Sequence, residues 1–275
     1  MAFHYALHVA TRLDSILAYH RERAAHDDRD LGALLKRAGR AIVPPSLLTS
    51  LVRPDQAEIR VIAEVKRRSP SAGVLREDMN VGRLAAAYDD GGAAAISVLT
   101  DEPHFGGHLN DIAIVRDSTP LPVLRKDFTV CAQDVCDARL MGASAVLLIV
   151  AARSPAELRA LFEIATALGL TSLIEVHDAS EQALALDLGA LVIGVNQRDL
   201  ATFEVDPERA AALASSFPSD VVTVAESGIR DARDARRFAE LGYDAILVGE
   251  AFVRAADPAR AVAGFREASV SGAAA

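Results

Sequence analysis

Ile62-Ala63-Glu64-Val65-Lys66-Arg67-Arg68-Ser69-Pro70-Ser71-Ala72-Gly73 reads as a buried strand that turns charged at its end and runs into a Ser/Pro/Gly loop. Val61, Ala63 and Val65 alternate with Ile62, Glu64 and Lys66, so a carboxylate and an ammonium two residues apart share one strand face. In a barrel of parallel strands such a face leads to the C-terminal mouth, where that architecture carries its chemistry. An ordinary solvated ion pair at a strand end would look the same over this stretch alone. The other strands therefore decide.

From Val61 onward strand and helix patterns alternate. Candidate strands run over 61–66, 95–100, 122–126, 145–150, 171–176, 191–196, 221–225 and 245–249. A glycine closes most of the helical patterns just before the next strand, at Gly92, Gly142, Gly169, Gly189 and Gly242, as expected of helix C′ positions. That recurrence is the internal repeat. Eight βα units with near-continuous apolar strands predict an α/β fold, a single (β/α)8 TIM barrel over 61–270, with an open doubly wound sheet as the alternative. Upstream, Leu13, Ile16 and Leu17 follow a cap at Thr11, and Leu31, Leu34 and Leu35 follow Asp30, before Val43-Pro44-Pro45-Ser46 breaks the run. Residues 1–60 are thus expected as an N-terminal helical extension packed on the barrel, with disorder before Ala10 and a disordered tail at 271–275.

Composition narrows the function classes. The 275 residues, 51% of them hydrophobic, suit one soluble globular domain, and no apolar run approaches the roughly 20 residues of a membrane span. With no secretory leader pattern, a cytoplasmic address is expected. A net charge of −9 argues against nucleic acid as a partner while leaving room for an anionic ligand in a local basic pocket. Cys131 and Cys136 suit neither a disulfide framework nor a zinc site, and read as helix filler. Of 29 basic residues only Lys36, Lys66 and Lys126 are lysine, and the last two sit at strand ends. In so arginine-rich a chain, a lysine points to a place that wants a compact ammonium with a movable pKa.

Polar residues gather at one end of the candidate strands: Glu64 and Lys66, Lys126, Glu175, Asn196 and Arg198, Glu226 and Ser227, and Gly249-Glu250. A purely structural barrel has no reason to collect two lysines, three glutamates and an asparagine at one rim. His104 and His108 have helical spacing, but Gly106-Gly107 between them argues against a metal pair, and no metal is expected. Gly91-Gly92 reads as a helix stop. Gly228 and Gly249 follow strands seven and eight, where barrels bind phosphate through backbone N–H groups and a short extra helix, here placed at 251–255; two tight turns are the other reading.

The stretches IAEVKRRSPSAG, ISVLTDEPHFGG, PVLRKDF, LLIV, LIEVHD, GVNQRDL, VAESGI and ILVGEA resemble, in order and spacing, the indole-3-glycerol-phosphate synthase family of tryptophan biosynthesis, over roughly residues 11–265. The resemblance implies closure and decarboxylation of 1-(2-carboxyphenylamino)-1-deoxyribulose 5-phosphate to indole-3-glycerol phosphate, carbon dioxide and water, without cofactor or metal. It makes Lys126 the general acid at the ketone, gives Lys66 the acid steps and the substrate carboxylate, and assigns Glu175 to the dehydration. Glu64, Asn196, Glu226 and Ser227 would orient these groups and the sugar hydroxyls. Arg198 would add carboxylate recognition, and Pro70, Phe105, Phe128 and Leu147 an apolar slot for the aryl ring. Ser69, Gly228, Gly249 and the backbone of Glu250 would hold the phosphate, with the Glu250 side chain turned away. Neighbouring ammoniums are expected to lower one another's pKa.

Two departures stand out. Ala72 replaces a loop lysine common among relatives, so Arg67 or Arg68 is expected to supply charge near the phosphate, and no tryptophan is present in the extension. The rival functions are another phosphate-binding barrel, such as a phosphoribosylanthranilate isomerase relative, and a catalytically silent paralogue. A monomer or weak homodimer is expected.

Overall fold

A computed structural model describes residues 11–54, 58–69 and 72–269. The expectations for Pro70, for disorder before Ala10 and for a tail at 271–275 fall outside these residues. Three helices come first: α1 (Arg12–Ala25), α2 (Leu31–Gly39) and α3 (Leu47–Leu51). Thr11, Asp30 and Ser46 each cap one of them by accepting a backbone N–H, the local reason these segments start where they do. The third was not apparent from periodicity, because five residues carry too little of a helical pattern.

Eight barrel strands follow: β1 (Arg60–Val65), β2 (Ala95–Leu99), β3 (Val123–Lys126), β4 (Ala145–Ile149), β5 (Thr171–Val176), β6 (Val192–Asn196), β7 (Val222–Glu226) and β8 (Ala245–Val248). They pair in parallel and close on themselves in the order β1-β8-β7-β6-β5-β4-β3-β2. The sheet is a (β/α)8 barrel, and the open-sheet alternative is overturned by the β1–β8 pairing, Arg60 against Ala245 through Ala63 against Val248. The helices around it are α4 (Val81–Asp90), α5 (Glu102–Phe105), α6 (Asp111–Ser118), α7 (Ala132–Leu140), α8 (Pro155–Ala167), α9 (Ala179–Asp187), α10 (Arg209–Leu213), α11 (Ala232–Glu240), α12 (Glu250–Val253) and α13 (Pro258–Ala268). Among the described residues no helix is long and apolar enough to cross a membrane.

The period of two sorts each strand between two buried layers. Val61, Ala63 and Val65 pack outward in the cluster shared with the helices, whereas Ile62 belongs to an inner cluster with Ala95, Leu124, Leu173 and Val224. Each valine, leucine or isoleucine among them removed from water contributes about 1.5–3 kcal/mol, which fixes the register and hence the direction of Glu64. The inner cluster also takes in Leu13, Ile16 and Leu17 of α1 and Leu47 and Leu51 of α3. The helices before β1 therefore share the barrel's interior core.

Candidate active site

Inward-facing positions near the strand ends are polar, and they meet. Lys126, the last residue of β3, donates from Nζ to Glu175 Oε2 on β5 at 2.8 Å and to Glu226 Oε2 on β7 at 2.6 Å. Asn196, at the end of β6, donates from Nδ2 to Glu175 Oε1 at 3.0 Å. Beside them Lys66 Nζ pairs with Glu64 Oε1 at 2.5 Å. Two glycines make this packing possible: a Cβ on Gly194 would lie 2.0 Å from Glu226 Oε1, and one on Gly249 would lie 2.4 Å from Glu64 Oε1 and 3.1 Å from Lys66 Nζ.

Charge and burial set the proton affinities. Burial works against the Lys126 ammonium, but Glu175, Glu226 and then Glu64 outweigh it, and its pKa is raised. This corrects the expectation of mutually lowered ammonium pKa values: the groups touching Lys126 are carboxylates, and Lys66 is paired with Glu64. Burial would push Glu175 up, yet Lys126, His177 and the Asn196 amide hold it below the ordinary range. Glu226, by contrast, is pushed up to about 7 by burial, with Lys126 opposing and Glu175 and Glu64 adding to the rise. One ammonium thus sits between an ionised carboxylate and one poised to exchange a proton near neutrality.

Around this floor lies a cavity of about 570 Å³. Phe105, Phe128 and Leu147 line it, the two rings 6.3 Å apart between centroids, and Ser69, Arg198, Ser227, Gly228, Gly249 and Glu250 ring its upper part. Arg198 spends one donor on the Phe203 carbonyl at 2.7 Å, while the Glu250 carboxylate pairs with Arg254 at 3.2 Å. The short helix after strand eight starts one residue earlier than expected, at Glu250, and its first backbone N–H groups have no partner within the helix.

Sequence reasoning erred on one point here. Arg67 and Arg68 do not reach toward a phosphate: Arg67 forks onto Asp111 and Arg68 onto the carbonyls of Glu102 and Pro103, so both tie the loop after β1 to the loop after β2. Gly228 and Gly249 each also have a packing reason to lack a side chain. Gly249 leaves space for Glu64 and Lys66, and Gly228 has a left-handed φ of 72° with Val205 in the way of any Cβ. Lining residues missed as such include Leu13 and Ile16 of α1, Phe203 and Arg230. The spacing of Leu13 and Ile16 was visible, but nothing local says that α1 faces the barrel mouth.

What holds α1 there is a buried polar contact. His20 Nε2 lies 2.8 Å from Asp101 Oδ2, and His104 Nδ1 lies 2.9 Å from the same oxygen. His104 therefore partners His20 across Asp101, and His108 is not part of the group; the His108 ring accepts from the Asn110 N–H instead. His20 also stacks 5.4 Å from Phe128, which couples the helix to the cavity wall.

Fold and site define a class: (β/α)8-barrel enzymes with a buried lysine–glutamate cluster at the C-terminal mouth. The family described as Indole-3-glycerol phosphate synthase matches residues 13–265. A Kineococcus radiotolerans protein named Indole-3-glycerol phosphate synthase is 49% identical over 258 residues, covering 92% of this chain and 94% of its own. A Mycobacterium ulcerans protein of the same name is 46% identical over 256 residues, covering 92% and 93%. This chain belongs to the indole-3-glycerol phosphate synthase family. Among solved structures, 3-hexulose-6-phosphate synthase matches at a TM-score of 0.60 and 16% identity over 76% of this chain and 99% of its own, a likeness of fold alone.

Proposed function

We propose that the chain closes, decarboxylates and dehydrates 1-(2-carboxyphenylamino)-1-deoxyribulose 5-phosphate to indole-3-glycerol phosphate, with Lys126 as the acid at the ketone. The observation that carries this reading is the Lys126 ammonium held between Glu175 and Glu226 at the floor of an apolar-walled cavity. Closure turns the ketone oxygen into an alkoxide as the aryl carbon bearing the carboxylate attacks. An alkoxide is far more basic than an ordinary acceptor, so a lysine of raised pKa can still protonate it, and Glu226 can return a proton to Lys126 near neutral pH. Expulsion of carbon dioxide then restores the aromatic ring.

Dehydration needs an acid for the departing hydroxyl and a base for the carbon-bound proton released as the new ring aromatises. Lys66, positioned by Glu64, fits the first role, and the ionised Glu175 fits the second. Phe105, Phe128, Leu147, Leu13 and Ile16 offer the aryl ring a dry slot, Asn196 and Ser227 the sugar hydroxyls polar partners, and Arg198 the substrate carboxylate a cation. Ser69, Gly228, Gly249 and the Glu250 backbone form the phosphate end, with the exposed Arg230 as the added cation that Arg67 and Arg68 do not supply. Pro70 keeps its place in this scheme from the sequence alone. The set of acids and bases speaks against both an isomerase relative and a silent paralogue.

The unit is taken as an extension over 1–60 and a barrel to about 270, working as a monomer or weak homodimer in the cytoplasm without nucleic acid, in keeping with its net charge of −9. Incubation of the purified protein with the anilino-deoxyribulose phosphate, followed by indole fluorescence, tests the reading: product is expected without any added cofactor, and none would refute it.

A further inference from the structure

The two carboxylates that share Lys126 are not equivalently surrounded. Glu226 has Lys126 on one oxygen, and its other oxygen, Oε1, is buried with no hydrogen-bond partner among the described residues. Glu175 has Lys126 on Oε2, Asn196 on Oε1, and His177 Nε2 3.7 Å from that same Oε1. Nothing in the reaction scheme uses His177.

Its ring is nonetheless held with care. The His177 backbone N–H donates to Glu181 Oε2 at 2.8 Å, and Nδ1 sits 3.0 Å from the same oxygen. Glu181 is itself placed by the first turn of α9, where Asp178 caps the helix. Nε2 is buried, has no hydrogen-bond partner among the described residues and lies on the side of Glu175. A ring with a carboxylate at each nitrogen is stabilised with both nitrogens protonated, because a lone pair facing either carboxylate would be repelled. The charged groups that bear on it are Glu175 from β5, Glu181 from α9, Asp178 beside it, and the cation Arg209 from α10, which opposes its charge. Burial also opposes that charge, but Glu181 and Glu175 prevail and the His177 pKa is raised.

We propose that His177 is a positioning residue that decides which carboxylate on Lys126 carries the proton, keeping Glu175 as the anion and leaving Glu226 as the group that takes the proton up. This rests on the proposed function for its consequence in turnover, but not for the proton distribution itself.

The test uses the full chain with His177→Asn, and with Glu181→Gln as a second variant that leaves every cavity residue in place. Carbon-13 NMR of the glutamate carboxyls, assigned with Glu175→Gln and Glu226→Gln, is followed against pH without substrate. In the parent, Glu226 is expected to titrate near neutrality and Glu175 well below. Loss of a charge 3.7 Å away should raise the Glu175 midpoint by about one pH unit in His177→Asn, and by a smaller step in Glu181→Gln. The acid limb of kcat should move up with it, while KM stays within about twofold. A merely structural role would lower activity evenly across pH. Unmoved Glu175 titration in the variants would overturn the proposal. A parent protein that makes no product would refute the proposed function and leave the NMR result standing.

Discussion

Gly194→Ala isolates the placement of Glu226. Gly194 does not have a left-handed φ, so alanine is tolerated by the backbone, and the substitution acts only through the atom it adds. That Cβ would fall 2.0 Å from Glu226 Oε1 and 3.3 Å from Leu173 Cδ1, where real contacts essentially never come under 3.0 Å. The carboxylate must retreat by about 1 Å, within a buried site, away from a 2.6 Å bond to Lys126. A hydrogen bond to a charged group is worth about 1.5–3 kcal/mol, so the folded state should lose up to that amount, or about 2–4 °C in Tm per kcal/mol at roughly this size. Misplacing a reacting group by that distance costs about 10²-fold in turnover. Indole fluorescence gives kcat, and thermal denaturation gives the stability change. Introduced into Glu226→Ala, where no carboxylate remains to be displaced, the same change should cost little more. Turnover of Gly194→Ala within about threefold of the parent would refute the reasoning.

Three further outcomes follow from the same geometry. Gly249→Ala should disturb the Glu64–Lys66 pair and lower kcat, and should also weaken inorganic phosphate binding; a Kd for phosphate unchanged within about twofold would place the anion away from Gly249. The Glu226 pKa is raised in the folded chain from an ordinary 4.5 to about 7, so the stability linked to it is fully present below 4.5 and lost as pH rises through 7. Chemical denaturation of Glu226→Gln across that window should lack this slope, and an identical slope would assign it to another group. Exhaustive chelation should leave turnover unchanged, since acid and base are side chains, whereas inactivation reversed by a divalent ion would contradict that assignment.

The barrel was legible because its evidence repeats: eight apolar runs alternating with helical patterns, most of them closed by a glycine, make any single misreading harmless. Glu64 and Lys66 were legible for a related reason, since strand alternation puts them on the face of Ile62, which the core then fixes inward. What the sequence could not supply was contact between elements. That Arg67 faces Asp111 rather than the cavity depends on the loop after β2, 44 residues away. The sign of the Lys126 shift depends on Glu175 and Glu226, 49 and 100 residues away. Nor was it legible that Gly194 and Gly249 leave room for Glu226 and for Glu64 and Lys66, because those side chains come from other strands.

The central claim is that Lys126 delivers the proton for ring closure, and the kcat of Lys126→Arg in the indole fluorescence assay tests it most directly. Arginine keeps the positive charge between Glu175 and Glu226 but hardly deprotonates, so kcat should fall by about 10²-fold or more in a folded variant that still binds inorganic phosphate. Turnover close to that of the parent would show that charge alone suffices at this position and would remove Lys126 as the acid.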